Sequence, residues 1–317
     1  MELLPKDADI LPPSDDRVFK LLLTSPEARQ GLINLISSVI GRTVVDVALH
    51  PNELAPEDTE EKAERFDVNC KIDDGSQVNL EMQASHMVED VDGQHKNLKG
   101  KSIYYLTDLH SSQPAKGLRR YDRLARSYQI TFCSYTVFPN TLDYLNSFSL
   151  RHDTTGELLS DAISLTFVEL SKLDEVIKKP VSDMTDLDKW SVFLQYAPDP
   201  EHRETVNKVI ESEEVLQVAG NLLMSISQNE RERAIYRSRR KFQTDLQSDL
   251  ATAEDNGRQI GRAEGRAEGK AEGRVEGRAE RSMEIARNAL QKQMSIDDVV
   301  DITGLAREEV ERLADDM

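Results

Sequence analysis

Cysteine is almost absent from the chain: Cys70 and Cys133 are the only two. They offer neither a disulfide framework nor a zinc-ligand spacing. Each lies in an apolar strand-like stretch, so both are expected as core thiols of a reduced, cytoplasmic protein. Long apolar runs are missing as well. Nothing approaches the ~18 apolar residues of a membrane span, and residues 1–7 lack the basic start and apolar stretch of a secretory leader. The histidines, His50, His86, His95, His110, His152 and His202, include no pair four apart, so an imidazole-built metal site is not expected. No glycine-rich phosphate loop follows a strand, which argues against a nucleotide cofactor. Basic charge is short overall, with 40 Lys and Arg against 58 Asp and Glu for a net charge of −18. A chain of that sign is no general nucleic-acid binder, and any basic face must be local.

What is present is unevenly distributed. The 317 residues, 38% of them hydrophobic, suffice for one substantial core with chain left over. Residues 46–92 carry 14 acids and 3 bases, residues 116–126 carry 5 bases and 1 acid, and residues 231–281 carry 13 bases and 10 acids. Ser14, Asp15 and Asp16 supply N-cap oxygens for a helix beginning at Val18. A second helix is expected over 27–40, ending at Gly41, and a short strand over 44–49. Residues 66–72 and 78–84 alternate apolar and polar at period two, around the turn Asp73-Asp74-Gly75, and read as a β-hairpin. A helix over 94–110, strands over 129–138 and 163–170, and helices over 186–197 and 203–223 follow. Early strands and late helices indicate an α/β core with a helical appendage.

The hairpin register carries the chemistry. A three-residue loop with Gly75 left-handed pairs Ile72 with Ser76, Val68 with Leu80 and Asp67 with Glu81. One face is then Phe66, Val68, Cys70, Ile72, Val78, Leu80, Met82 and Ala84. The other is Asp67, Asn69, Lys71, Asn79, Glu81 and Gln83. A two-residue loop would mix the faces, so hydrophobic patterning selects the first register. Two carboxylates side by side repel; such a face is either solvated or holds a hard cation on its oxygens.

Asp67, a hairpin, and then Glu81-Met82-Gln83 resemble the D…(D/E)xK metal core of the PD-(D/E)XK nuclease superfamily, with Gln83 where lysine is usual. The glutamine variant is similar to the Rpn family of recombination-promoting nucleases and transposases. Asp16-Arg17-Val18-Phe19-Lys20 resembles that family's opening helix. Ser102-Ile103-Tyr104-Tyr105 and Leu109-His110-Ser111-Ser112-Gln113 resemble its central helix, and Gly117 to Tyr121 with Tyr128-Gln129-Ile130 the approach to its next strand. The likeness spans about residues 15–140, with the Gly-Arg-Ala-Glu tail in addition.

The resemblance implies a restriction-endonuclease-like α/β core with a C-terminal helical extension, and a metal-dependent DNA endonuclease. Asp67 and Glu81 would ligate Mg²⁺ (or Mn²⁺ or Ca²⁺), and Gln83 would position the attacking water. Asp16 would add an acid from the first helix unless it serves as the N-cap. Lys101 stands where a basic residue is expected ahead of the tyrosines. Arg119, Arg120 and Arg123 would contact DNA phosphates, and Tyr105 either does the same or packs as a half-buried helix residue. Glutamine at position 83 brings no positive charge to a developing phosphorane. The alternative is therefore a non-catalytic DNA- or protein-binding assembly protein with a degenerate nuclease fold.

The remainder divides by composition. Residues 1–175 are expected as the nuclease-like core, 176–227 as a helical region packing on or following it, 228–281 as a helical low-complexity arm, and 282–317 as a short helical hairpin. Gly257, Gly261, Gly265, Gly269, Gly273 and Gly277 recur every four residues in the arm, each costing about 1 kcal/mol of helix stability against alanine. The arm is expected to be dispensable for chemistry and, through its glycine stripe, a candidate homodimer contact. Residues 295–305 resemble a miniature helix-turn-helix whose negative charge suits protein contact better than DNA.

Overall fold

In the computed structural model, which describes residues 3–50, 68–84, 94–113 and 121–316, the hairpin forms in the register its apolar pattern dictates. Strand β2 (Val68–Ile72) pairs antiparallel with β3 (Gln77–Gln83), placing Val68 opposite Leu80 and Cys70 opposite Val78. The Ile72 N–H donates to Ser76 O at 3.0 Å, and Gly75 has φ +89°, a conformation that favours glycine. The expected pairing of Asp67 and the burial of Phe66 lie outside the described residues.

Among the described residues the sheet has six strands in the order β1-β2-β3-β4-β6-β5. Strand β1 (Val47–Leu49) joins the hairpin antiparallel. Helix α3 (Gln94–Ser111) lies between β3 and β4 (Ser127–Cys133) in the chain, and these two strands are parallel, as a crossover connection requires. Strand β6 (Leu158–Glu169) runs parallel to β4, and β5 (Leu145–Arg151) closes the edge antiparallel to it. The strand expected to reach residue 138 stops at Cys133, because the Val137 and Phe138 N–H groups donate to the Glu169 carboxylate instead of to a neighbouring strand.

The two sheet faces differ sharply in polarity. Val68, Cys70, Ile72, Val78, Leu80, Met82, Tyr128, Ile130 and Phe132 are buried in one apolar core. Helices α1 (Asp16–Thr24) and α2 (Arg29–Ile40) contribute Phe19, Leu22, Leu32 and Ile36 to that core. Phe19 meets Phe132 at 5.7 Å between ring centroids. Cys70 is a core thiol as expected, and burial pushes it up to about 12. The opposite face, lying against α3, buries Asn79, Glu81, Gln129, Thr131 and Ser127.

The helical region is built into this core. Helices α4 (Asp186–Tyr196), α5 (Arg203–Ser212) and α6 (Glu214–Gln228) contribute Trp190, Phe193, Val206, Ile210, Leu216 and Leu223 to the main core. Asn207 exchanges two hydrogen bonds with the Leu4 backbone, and Ser227 Oγ accepts from Leu11 N. The helix expected over 203–223 is two helices, broken where Glu213 adopts an extended φ of −140°; Lys189 forms an ion pair with its carboxylate.

Asp188, 2% exposed, closes the capping box of α4 with Thr185 and accepts from Tyr144 Oη at 2.6 Å and Lys179 Nζ at 2.9 Å. Burial alone would raise its carboxyl, but these hydrogen bonds hold it below the ordinary value of 3.8. Asp188→Ala is expected to destabilise the protein by about 2–3 kcal/mol, the scale of lost charged hydrogen bonds at a buried site. A carboxyl with a depressed folded pKa stabilises above its unfolded value and loses that contribution as the pH falls. Denaturant melts should therefore show the deficit at pH 7 and show it shrinking below about pH 4.

The chain divides into two units, Met1–Thr244 and Asp245–Met317. Helix α7 (Glu230–Gln291) begins in the first. The Asn229 side chain accepts from Arg231 N and Glu232 N at its start. In the second unit, Ala286 and Ala289 of α7 form a small core with Val299 of α8 (Ile296–Thr303) and Val310 of α9 (Arg307–Asp315). The two short helices expected here are joined through Gly304, φ +68°. A Cβ built on any of the six repeat glycines would meet nothing within 4 Å. Among the described residues no helix is long and apolar enough to cross a membrane.

Candidate active site

Strand alternation delivers Glu81 and Gln83 to the face covered by α3, and α3 delivers Lys101 to both. Lys101 Nζ donates to Glu81 Oε1 and, at 3.3 Å, to Gln83 Oε1. The same ammonium stands 5.3 Å from the centre of the Tyr105 ring. Tyr105 lies one helical turn after Lys101, so the two share a helix face, and it is half-buried as the packing alternative held.

Glu81 is only 6% exposed. Burial pushes its carboxyl up, Lys101 opposes that, the charge of Asp16 adds to it, and the net direction is upward. Its Oε2 has no hydrogen-bond partner among the described residues, and neither do Asn69 Oδ1 and Asn79 Oδ1 on the same sheet face. Oxygens cut off from water and left without a donor suit a hard cation, which takes oxygen ligands.

A polar row runs away from Glu81 beneath α3. Asn79 Nδ2 donates to Gln129 Oε1 at 2.7 Å, Gln129 Nε2 to Thr131 Oγ1 at 3.3 Å, and Ser102 Oγ lies 3.3 Å from Thr131 Oγ1. Thr131 is the cross-strand neighbour of Glu81. This row locks the backbone and rotamers on which Glu81 depends.

Asp16 belongs to the same corner. The N-cap of α1 is Asp15, whose side chain accepts from Arg17 N and Val18 N, and Asp16 Oδ1 also accepts from Arg17 N at 2.8 Å. Asp16 is the first helical residue, and its Oδ2 accepts from Arg239 Nη2 at 2.6 Å. Its charge reaches Glu81.

The structure thus brings Asp16, Glu81, Gln83 and Tyr105 to one corner and adds Lys101 and Arg239. Asp67, Arg119 and Arg120 lie outside the described residues. Arg123 is exposed in a single turn, Tyr121–Arg123, before β4. Among the described residues no three His, Cys, Asp or Glu side chains are placed to hold a metal. The buried row was foreshadowed by the polar Ser127, Gln129 and Thr131 alternating with Tyr128, Ile130 and Phe132 in a strand flanked on both sides. The link from Asp16 to Arg239, 223 residues apart, left no sequence signal.

A protein-family model described as PD-(D/E)XK nuclease family transposase matches residues 13–253. No curated protein and no solved structure matches the chain at a significant level.

Proposed function

We propose that this chain, which belongs to the PD-(D/E)XK nuclease family transposases, is a DNA endonuclease that hydrolyses phosphodiester bonds with a divalent cation. The observation that carries the reading is Glu81, a buried carboxylate with one oxygen held by lysine and the other without a donor among the described residues. Asp67 is the second ligand in this reading; it precedes Val68, the partner of Leu80, which precedes Glu81. Asp16 adds its charge beside them. Mg²⁺, with Mn²⁺ or Ca²⁺ as substitutes, fits such an all-oxygen set. When bound, a cation of this kind polarises the scissile phosphate and eases deprotonation of an attacking water.

The rest falls to the chain's own side chains. The Gln83 amide orients the attacking water. Lys101, held between Glu81 and Gln83, supplies the positive charge that glutamine lacks to the oxygens on which negative charge develops. Arg119, Arg120 and Arg123 neutralise backbone phosphates, giving a salt-sensitive affinity, and Tyr105 assists at the same edge. The protein acts in the cytoplasm, and its glycine-striped arm serves homodimer contact.

Plasmid cleavage tests the reading directly. Wild-type protein is expected to nick or linearise DNA with Mg²⁺ or Mn²⁺, and Asp67→Ala to lose that activity with its melting temperature retained. Cleavage that survives in the folded variant rejects Asp67 as a ligand. A folded wild type inert with every cation points to the non-catalytic binding role.

A further inference from the structure

We propose that Arg239, near the base of α7, is the counter-ion of the cation site: its guanidinium pairs with Asp16 and must be outcompeted there by a divalent ion. The proposal rests on the reading of Asp16, Asp67 and Glu81 as the cation-binding carboxylates. Four observations lead to it. Asp16 is the first residue of α1 and not its N-cap; its Oδ1 accepts from Arg17 N at 2.8 Å and its Oδ2 from Arg239. Helix α1, which carries Asp16, packs on β3, which carries Glu81. Glu81 itself is more than nine-tenths buried and keeps one oxygen without a partner among the described residues. Arg239 is held at Asp16 by more than its own ion pair.

That last point is geometric. Arg17, the residue after Asp16, grips Glu232 with two hydrogen bonds of 2.6 and 2.9 Å. Glu232 and Arg239 are seven residues apart, two helical turns, and so share one face of α7. Two adjacent residues of α1 therefore hold two positions on that face, two turns apart. Arg233 adds an ion pair to Asp9. The first turns of α7 are clamped to α1 and to Asp9, and they belong to the arm over 228–281 expected to be dispensable for chemistry.

The electrostatics then make a signed demand. Neighbouring carboxylates repel, and Lys101 answers Glu81 while Arg239 answers Asp16. The Arg239–Asp16 pair is more than a third exposed on both sides, so it is weak and a divalent ion in direct contact with the oxygens displaces it. A fixed positive charge beside the site nonetheless lowers cation affinity. Removing it must tighten binding, whereas removing a ligand must loosen it.

Mn²⁺ titration of the full chain by calorimetry, with no DNA present, separates these effects. Arg239→Gln is expected to bind Mn²⁺ about tenfold more tightly than wild type, and Asp16→Asn about tenfold more weakly. Arg239→Lys, which keeps the charge, should stay near wild type. A general disturbance of the fold weakens binding and cannot produce the Arg239→Gln gain. Arg239→Gln binding equal to or weaker than wild type, or Asp16→Asn without effect, overturns the counter-ion role and leaves the site intact. Absence of Mn²⁺ binding in wild type, or undiminished binding in Glu81→Gln, overturns the site itself and this proposal with it.

Discussion

Glu81→Gln is expected to reduce metal-dependent cleavage by about 10²–10³-fold, the scale seen when a preorganised electrostatic contact to the reacting group is removed, and at the same time to raise thermal stability at neutral pH. Both effects follow from the same burial. The Glu81 carboxyl is pushed above its ordinary 4.5 because desolvation outweighs the help of Lys101. A raised folded pKa means the folded state holds that proton more tightly than the unfolded chain. Stability then falls as the pH rises from about 4.5 through the folded value. Glutamine has no charge to desolvate and can still accept from Lys101. The variant should melt above wild type at pH 7.5 and level with it at pH 4, while plasmid nicking disappears. Wild-type nicking by Glu81→Gln, or a lower melting temperature at pH 7.5, contradicts this account. The pattern is that of a function-bearing charge kept at the expense of stability.

The second large effect concerns where the lysine comes from. Lys101→Gln is expected to slow cleavage about 100-fold with little change in KM for DNA, since the ammonium acts on charge that develops only in the transition state. Adding Gln83→Lys to that variant is expected to restore most of the rate. In wild type Lys101 Nζ lies 3.3 Å from Gln83 Oε1, so a lysine grown from position 83 reaches the same region. Loss of Lys101 also removes the charge that lowers the Glu81 carboxyl, so the acid limb of the pH–rate profile should move to higher pH in the single variant and return in the double. Single-turnover rates across pH test both statements. A double variant no faster than Lys101→Gln would show that the charge acts from α3 alone.

The hairpin was legible because its pattern has only one solution. Val68, Cys70, Ile72, Val78, Leu80 and Met82 fall on one face for a three-residue loop and on no common face for a two-residue loop, and all six are buried together. What covers the other face was not legible. Asn79 and Glu81 read equally well as solvated; their burial depends on α3 crossing over β3, a tertiary fact. Lys101 drew notice for its position in the chain, but its grip on Glu81 spans twenty residues and a crossover. Strand β5 passed unseen because Asn146, Ser147 and Ser149 interrupt it and leave only Phe148 and Leu150 as an apolar pair on one face, both exposed. The break at Glu213 carries neither glycine nor proline, and an ion pair from a separate helix accompanies it. Local periodicity sets registers and faces; long-range charge pairing completes the site and leaves little trace in any window of sequence.

One consequence of the Gly75 turn is arithmetical. On β3 the odd positions Gln77, Asn79, Glu81 and Gln83 carry the chemistry, and the even positions Val78, Leu80 and Met82 carry the fold. The same parity holds on β2 and β4, with Asn69, Gln129 and Thr131 set against Cys70, Ile130 and Phe132. A one-residue gain or loss in the Asp73-Asp74-Gly75 loop that is taken up by the pairing instead of the turn exchanges the two sets at a stroke. Changes of two residues preserve the assignment. The turn therefore works as a parity check on the hairpin: a drift in length that would turn the carboxylate into the core also turns the valine and leucine out of it, so the site cannot be lost by a slip here while the fold survives.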